Sequence, residues 1–292
     1  MMDQLQSKMA LIELIRSDFP SLSKAFARIA TLLVDTPGNF MTWSIHDIAA
    51  AASVSEPTVI RFCRHYGYKG VPDFRIAIAI SLAERGVSVN RQFIEPMVGD
   101  KAFVNHDLKL AIARKARHLV DADRSLILDS GSTTQLFAQQ LRVASGLTIL
   151  TTGLNIIETL WGCEQHTLIL PGGVLRFEAR SLTGRLVEST LKQMHFDSVY
   201  FGADSVDPVL GLSTFNEEEA HQNAAMMEVS QRVIVLVDSS KFRAPGLHRF
   251  CNIDQIDIIV TDSNVPDAVA SRLSDQGVTL LIADPNSPDN EI

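Results

Sequence analysis

Cysteine is scarce in this chain of 292 residues, and Cys63, Cys163 and Cys251 lie far apart with no Cys-x-x-Cys pairing. That excludes a disulfide framework and offers no zinc cluster. The thiols are read as reduced, buried or half-buried groups, and neither metal nor cofactor is expected. Long apolar runs are missing too: no stretch approaches the ~18 residues needed to cross a bilayer. The start, Met1-Met2-Asp3-Gln4, lacks the basic-then-apolar layout of a secretory signal. A cytoplasmic location with no membrane partner is therefore the expectation. Internal repeats and low-complexity tracts are also absent.

Positive charge is in deficit overall, with a formal net charge of −8, which at first argues against a polyanionic partner. The deficit is uneven. Residues 1–88 carry nine basic side chains against eight acidic ones, so the acidity belongs to the remainder. Within 61–75, Arg61, Arg64, Lys69 and Arg75 face only Asp73, a local cationic stripe suited to a phosphate backbone. The length exceeds one typical domain and allows two hydrophobic cores.

Residues 3–17 and 21–35 read as helices, because Leu5, Met9, Ile12 and Ile15, then Leu22, Phe26, Ile29 and Leu33, recur at helical spacing. Thr36-Pro37-Gly38-Asn39 is expected to end the second. A third helix starts at Ser44-Ile45-His46-Asp47, the pattern of a capping box. After the turn Ala52-Ser53-Val54, a fourth opens at Ser55-Glu56-Pro57-Thr58 and ends near Tyr66-Gly67; a fifth covers about 72–85. Residues 87–106 lose the helical period and read as a linker. Beyond it, short apolar runs at 126–128, 147–150, 168–170, 199–201, 233–237, 256–260 and 278–282 alternate with helical segments. Strands buried on both faces and separated by helices mean a parallel-sheet α/β domain over 107–284, with 285–292 as a floppy tail.

The third and fourth helices, joined by three residues, have the spacing of a helix-turn-helix, with Ile48, Ala49, Ala52, Val54, Val59 and Phe62 inward. In such a motif the start of the second helix meets base edges. Arg61 is the first choice for a base contact, its planar fork suiting guanine O6 and N7. Ser55, Thr58, Arg64 and Lys69 would hold phosphate oxygens, with Glu56 and Pro57 also facing outward. A plain helical hairpin is the alternative. His65 reads as a surface or capping residue.

The segment from Ile48 to Phe74, with Val59-Ile60-Arg61-Phe62-Cys63-Arg64 followed by Gly67-Tyr68-Lys69-Gly70, resembles the DNA-binding domain of the RpiR family of sugar-responsive regulators. The resemblance covers about residues 5–84. That family's usual sugar isomerase domain does not follow.

Asp129-Ser130-Gly131-Ser132-Thr133-Thr134 follows a strand and opens a helix, offering free amides, a positive dipole end and hydroxyls to an anion. An ordinary strand-to-helix turn would look the same. Thr151-Thr152-Gly153, Pro171-Gly172-Gly173 and Gly202-Ala203-Asp204 also stand at strand ends, where ligand crevices of open parallel sheets lie. Glu219 and Lys241 could add contacts, although Glu217-Glu218-Glu219 also reads as a solvated first turn.

Residues about 107–283 resemble the sensor domain of DeoR-family regulators, through Asp129 to Thr134, Leu170-Pro171-Gly172-Gly173, Ser181-Leu182-Thr183-Gly184, Phe201-Gly202-Ala203-Asp204, Glu219-Ala220, Asp238-Ser239-Ser240-Lys241-Phe242 and Ile259-Val260-Thr261-Asp262. The resemblance implies a fold similar to ribose-5-phosphate isomerase, with the named loops, Gly184 included, binding a phosphorylated sugar or polyol effector without turnover. Thr152 stands where that family usually has Asn, Arg185 where it has Pro, and Asn223-Ala224 where it has a Lys-Arg pair. The expected whole is a hybrid regulator, more simply a repressor, of carbohydrate or polyol genes. A homo-dimer or homo-tetramer would bind double-stranded operator DNA. The competing reading is a sugar-phosphate isomerase with a helical appendage, Asp204 or Glu219 supplying the base. It gives no reason for the helix-turn-helix.

Overall fold

The computed structural model describes residues 11–84, 98–144, 146–243 and 245–285. Leu5 and Met9 of the first expected helix, most of the expected linker and nearly all of the tail lie outside the described residues. Two compact units result, 1–104 and 105–292.

The first unit contains α1 (Leu11–Asp18), α2 (Lys24–Asp35), α3 (Pro37–Thr42), α4 (Ile45–Ala51), α5 (Glu56–His65), α6 (Val71–Glu84) and the short α7 (Val98–Lys101). Two of these differ from the sequence reading. Thr36-Pro37-Gly38-Asn39 does end α2, but Pro37 then occupies the first position of α3, where its fixed φ and missing N–H suit a helix start. Helix α7 falls inside the expected linker, and just after it half-buried Phe103 still packs on the core of this unit. The core gathers Ile15, Ile29, Leu33, Phe40, Ile48, Val59, Phe62 and Phe74. Phe62 meets Phe26 at 5.5 Å and Phe74 at 5.7 Å between ring centres, edge-on contacts that add about 0.5–1.5 kcal/mol to burial. Arg75 corrects the expected cationic stripe. It is 1% exposed, and its guanidinium donates to the carbonyls of Phe40 (3.0 Å) and Trp43. These are carbonyls at the end of α3 that lack helical partners, so the arginine serves the core.

In the second unit the order is α8 (His106–Ala116), β1 (Ser125–Leu128), α9 (Ser132–Leu141), β2 (Thr148–Thr151), α10 (Leu154–Leu160), β3 (Thr167–Ile169), β4 (Val174–Arg176), β5 (Ser181–Thr183), α11 (Arg185–Leu191), β6 (Phe196–Phe201), β7 (Ser205–Asp207), β8 (Gly211–Thr214), α12 (Glu217–Glu228), β9 (Ser230–Leu236), β10 (His248–Cys251), β11 (Ile258–Asp262), α13 (Asp267–Asp275) and β12 (Thr279–Ala283). Seven strands form one parallel sheet in the order β12-β11-β9-β6-β1-β2-β3. They coincide with the seven apolar runs read from the sequence. Both faces are covered. Leu126, Leu128, Ile149 and Val260 pack with α8, α9 and α10 on one side, and Ile127, Leu150, Val199 and Ile259 pack with α11, α12 and α13 on the other. Alternate residues of one strand feed opposite cores, which is why these runs are apolar throughout.

Strand β1 lies mid-sheet. From it the chain lays β2 and β3 on one side, then returns to place β6, β9, β11 and β12 on the other. The order therefore reverses between β1 and β6, and the carboxyl ends at such a reversal are where open α/β sheets hold their ligands. The β4–β5 pair and the β7–β8–β10 sheet are antiparallel additions.

Candidate nucleic-acid interface and candidate effector site

Helix α4 is closed by the capping box foreseen for it: the Asp47 amide donates to Ser44 Oγ and the Ser44 amide to Asp47 Oδ2, each at 3.2 Å. Ser53, with φ +51°, makes the sharp turn, its carbonyl accepting from Arg28 Nη2 at 2.9 Å. At the far end of α5, Gly67 takes φ +86°. There the Gly67 amide donates to Arg64 and the Tyr68 amide to Cys63, satisfying carbonyls a helix end leaves open. The residues expected outside divide into two groups. Ser55, Pro57, Arg61, Arg64 and Lys69 are exposed, and Glu56 is half-buried. Thr58 is buried, and its hydroxyl lies 2.9 Å from Ser55 Oγ and accepts from Arg61 Nη2 at 3.1 Å. That hydroxyl steadies Arg61. Nearby, burial pushes the Tyr66 phenol up to about 12, the Asp18 carboxylate adding to the shift.

At the sheet's switch point, Asp129 ties three backbone segments. Its Oδ1 accepts from the Gly131 amide (2.9 Å) and the Thr134 hydroxyl, and its Oδ2 from the Gly202 amide (2.6 Å). The loop after β1 is thus stapled to the loop after β6. Ser132, Thr133 and Thr134 form the first turn of α9 and are buried; their amides precede the first intrahelical acceptor and point out of the helix end. The loop after β2 joins through Asn155, whose Nδ2 donates to the Ser130 carbonyl at 3.1 Å. Gly153 admits this approach, since a Cβ there would stand 2.9 Å from Ser130 Cα and 2.7 Å from Asn155 Oδ1. Thr152 is buried, accepts from Gln222 Nε2 of α12 at 3.1 Å, and its carbonyl accepts from the Leu182 amide at 2.9 Å.

Gly172, Gly173 and Gly184 flank the β4–β5 hairpin. A Cβ on Gly173 would meet the Thr183 carbonyl oxygen at 2.7 Å, and Gly184 has φ +97°, so glycine is required at both. Glu219 is held by Arg176 of β4 at 3.1 Å, which sets it apart from a merely solvated first turn. Gly202 and Ala203 are half-buried, and Asp204 Oδ2 accepts from Thr214 at 3.1 Å. Lys241 closes the turn after β9 and is half-buried. Asn223, in place of a family cation, is buried.

Sequence reasoning missed Lys109. It is 3% exposed, with Nζ 3.1 Å from Ser132 Oγ at the mouth of α9. A lysine sharing a helical face with Ile112, Ala113 and Ala116 was the available signal. Among the described residues no cluster of His, Cys, Asp and Glu could hold a metal ion, and no helix is long and apolar enough to cross a membrane.

A family model described as the DeoR C terminal sensor domain matches residues 104–263, and one described as a helix-turn-helix domain of the rpiR family matches 9–85. A protein named as an aga operon transcriptional repressor in Escherichia coli O157:H7 is 36% identical over 65% of this chain and 70% of its own. The HTH-type transcriptional regulator GlpR of Haloferax volcanii is 26% identical over 87% of this chain and 95% of its own. The glycerol-3-phosphate regulon repressor of Escherichia coli K12 is 29% identical over 62% and 72%. These matches are to regulators, and the isomerase reading is set aside. Its sensor domain fills more than half its length and is joined to an RpiR-type reading domain, so the chain belongs to the DeoR family of transcription regulators.

Proposed function

We propose that this DNA-binding regulator is a cytoplasmic repressor of carbohydrate or polyol genes, released or tightened by a phosphorylated sugar or polyol. Residues 1–86 form the reading domain, 87–106 the linker, 107–284 the sensor and 285–292 the tail, and the active species is a homo-dimer or homo-tetramer. The carrying observation is the Asp129 staple at the switch point, which draws the loops after β1 and β6 together at the open end of α9. Free amides and a helix dipole favour a phosphate there. Residues 129–134, Thr152, Gly172, Gly173, Gly184, Gly202, Ala203, Asp204, Glu219 and Lys241 frame the effector, with Lys109 adding a cation beneath. On DNA, Arg61 reads a base; Ser55, Arg64 and Lys69 hold phosphates, with Thr58 bracing Arg61, and Glu56 and Pro57 at the groove. The names of two relatives, repressors of an aga operon and a glycerol-3-phosphate regulon, support a carbohydrate role.

The test is a thermal-shift screen of sugar and polyol phosphates followed by operator titration. An effector at 100 times its Kd should stabilise the protein by about 2.7 kcal/mol. Changing Thr133 and Lys241 together to alanine should abolish the response and leave operator binding. Full response in that double variant places the pocket elsewhere.

A further inference from the structure

One side chain on α5 is chemically out of keeping with a helix that approaches phosphates. Glu56 is an acid at its first position, where repulsion from DNA costs affinity unless the carboxylate makes a bond of its own. Nor does it hang free in solvent. His46 of α4 places Nδ1 3.0 Å from Glu56 Oε1, with the imidazole 79% and the carboxylate 30% exposed. An open cleft of about 380 Å³ lies against both residues, walled by Ala49, Ala50, Val54, Ser55 and Pro57. The carboxylate is thus fixed in direction, with space before it.

An ionised carboxylate can only accept hydrogen bonds. On the major-groove edge the donors are the exocyclic amines of cytosine and adenine, and adenine sets its amine beside the N7 acceptor, which repels a carboxylate. Cytosine remains. We propose that Glu56 reads a cytosine through its N4 amine, and that His46 is the positioning residue that aims it. This rests on the reading of α5 as the DNA-reading helix and adds a base to it. The same charge penalises registers in which Glu56 would meet a phosphate.

Selection of the full chain against a random duplex library, followed by sequencing, tests the inference. Glu56→Gln should swap cytosine for adenine at one position of the selected motif, since glutamine pairs with adenine N6 and N7, and the preference should change by on the order of tenfold or more. His46→Ala should keep cytosine at that position but weaken the preference there, leaving the other positions as they were. A motif unchanged in Glu56→Gln, with uniformly tighter binding to all DNA, overturns the inference alone. A wild-type chain that enriches no sequence overturns the DNA-reading assignment of α5, and this inference with it.

Discussion

Asp129 gathers two backbone amides and a hydroxyl on one buried carboxylate. Alanine there strands both amides, while the Thr134 hydroxyl keeps the Gly131 carbonyl at 2.8 Å as acceptor, and a loss of about 3 kcal/mol is expected in urea unfolding. Gly153→Ala is the gentler probe, because it forces the β2 loop off Ser130 while the sheet beneath is untouched. Effector-induced stabilisation should fall further than intrinsic stability. Asp197 carries a pH signature. The amides of Arg124 and Ser125 donate to it and hold its carboxyl below the ordinary aspartate value. Its contribution is therefore complete at neutral pH and is lost as acid takes the solution down through the lowered folded value. Asp197→Asn should flatten the acid limb of the stability curve, read by thermal unfolding at stepped pH. Burial, and then the Asp254 charge, push the Cys251 thiol up to about 12, so alkylation should wait for unfolding.

At the scale of elements, what could be read from sequence and what could not divide along one physical line. The five inner strands of the parallel sheet are largely buried, and they and the more exposed edge strands β3 and β12 all announce themselves as apolar runs. The strands that escaped, β4, β5, β7, β8 and β10, have three or four residues each. Their pattern is mixed, as in Val174-Leu175-Arg176 and Ser205-Val206-Asp207, because hydroxyl, charged and glycine residues interrupt the apolar ones even where, as in β8, every residue is buried. Helix α3 escaped because Pro-Gly-Asn reads as a breaker unless the chain is known to turn a corner there. The Ser44 capping box was legible since its bonds are local; Ser44→Ala should cost about 1 kcal/mol, measurable by denaturant midpoint. The His46–Glu56 contact spans ten residues and depends on the angle between two helices, which periodicity does not encode. The loops proposed for the effector show in the sequence as glycine and hydroxyl clusters at strand ends, whereas their ties through Asn155, Gln222 and Arg176 arise from packing.

Across the whole molecule, a regulator works only if occupancy of one unit changes the grip of the other, and such coupling is reciprocal. Saturating operator should therefore shift effector affinity by the same factor by which effector shifts operator affinity; calorimetric titrations that coincide with and without DNA would remove the coupling. Arg61→Ala should erase the preference at the base that Arg61 reads while leaving much of the salt-dependent, sequence-independent binding. A uniform loss on every duplex would reassign Arg61 to a phosphate.

The reversal of strand order also sets a timetable. Asp129 and the Gly202 amide that it holds are separated by 73 residues of chain, so the staple cannot close until β6 has left the ribosome. By then the whole helical unit, which ends at residue 104, has already been synthesised. A message broken between the two would yield a product carrying every residue of the reading head but no finished sensor, deaf to the metabolite meant to govern it.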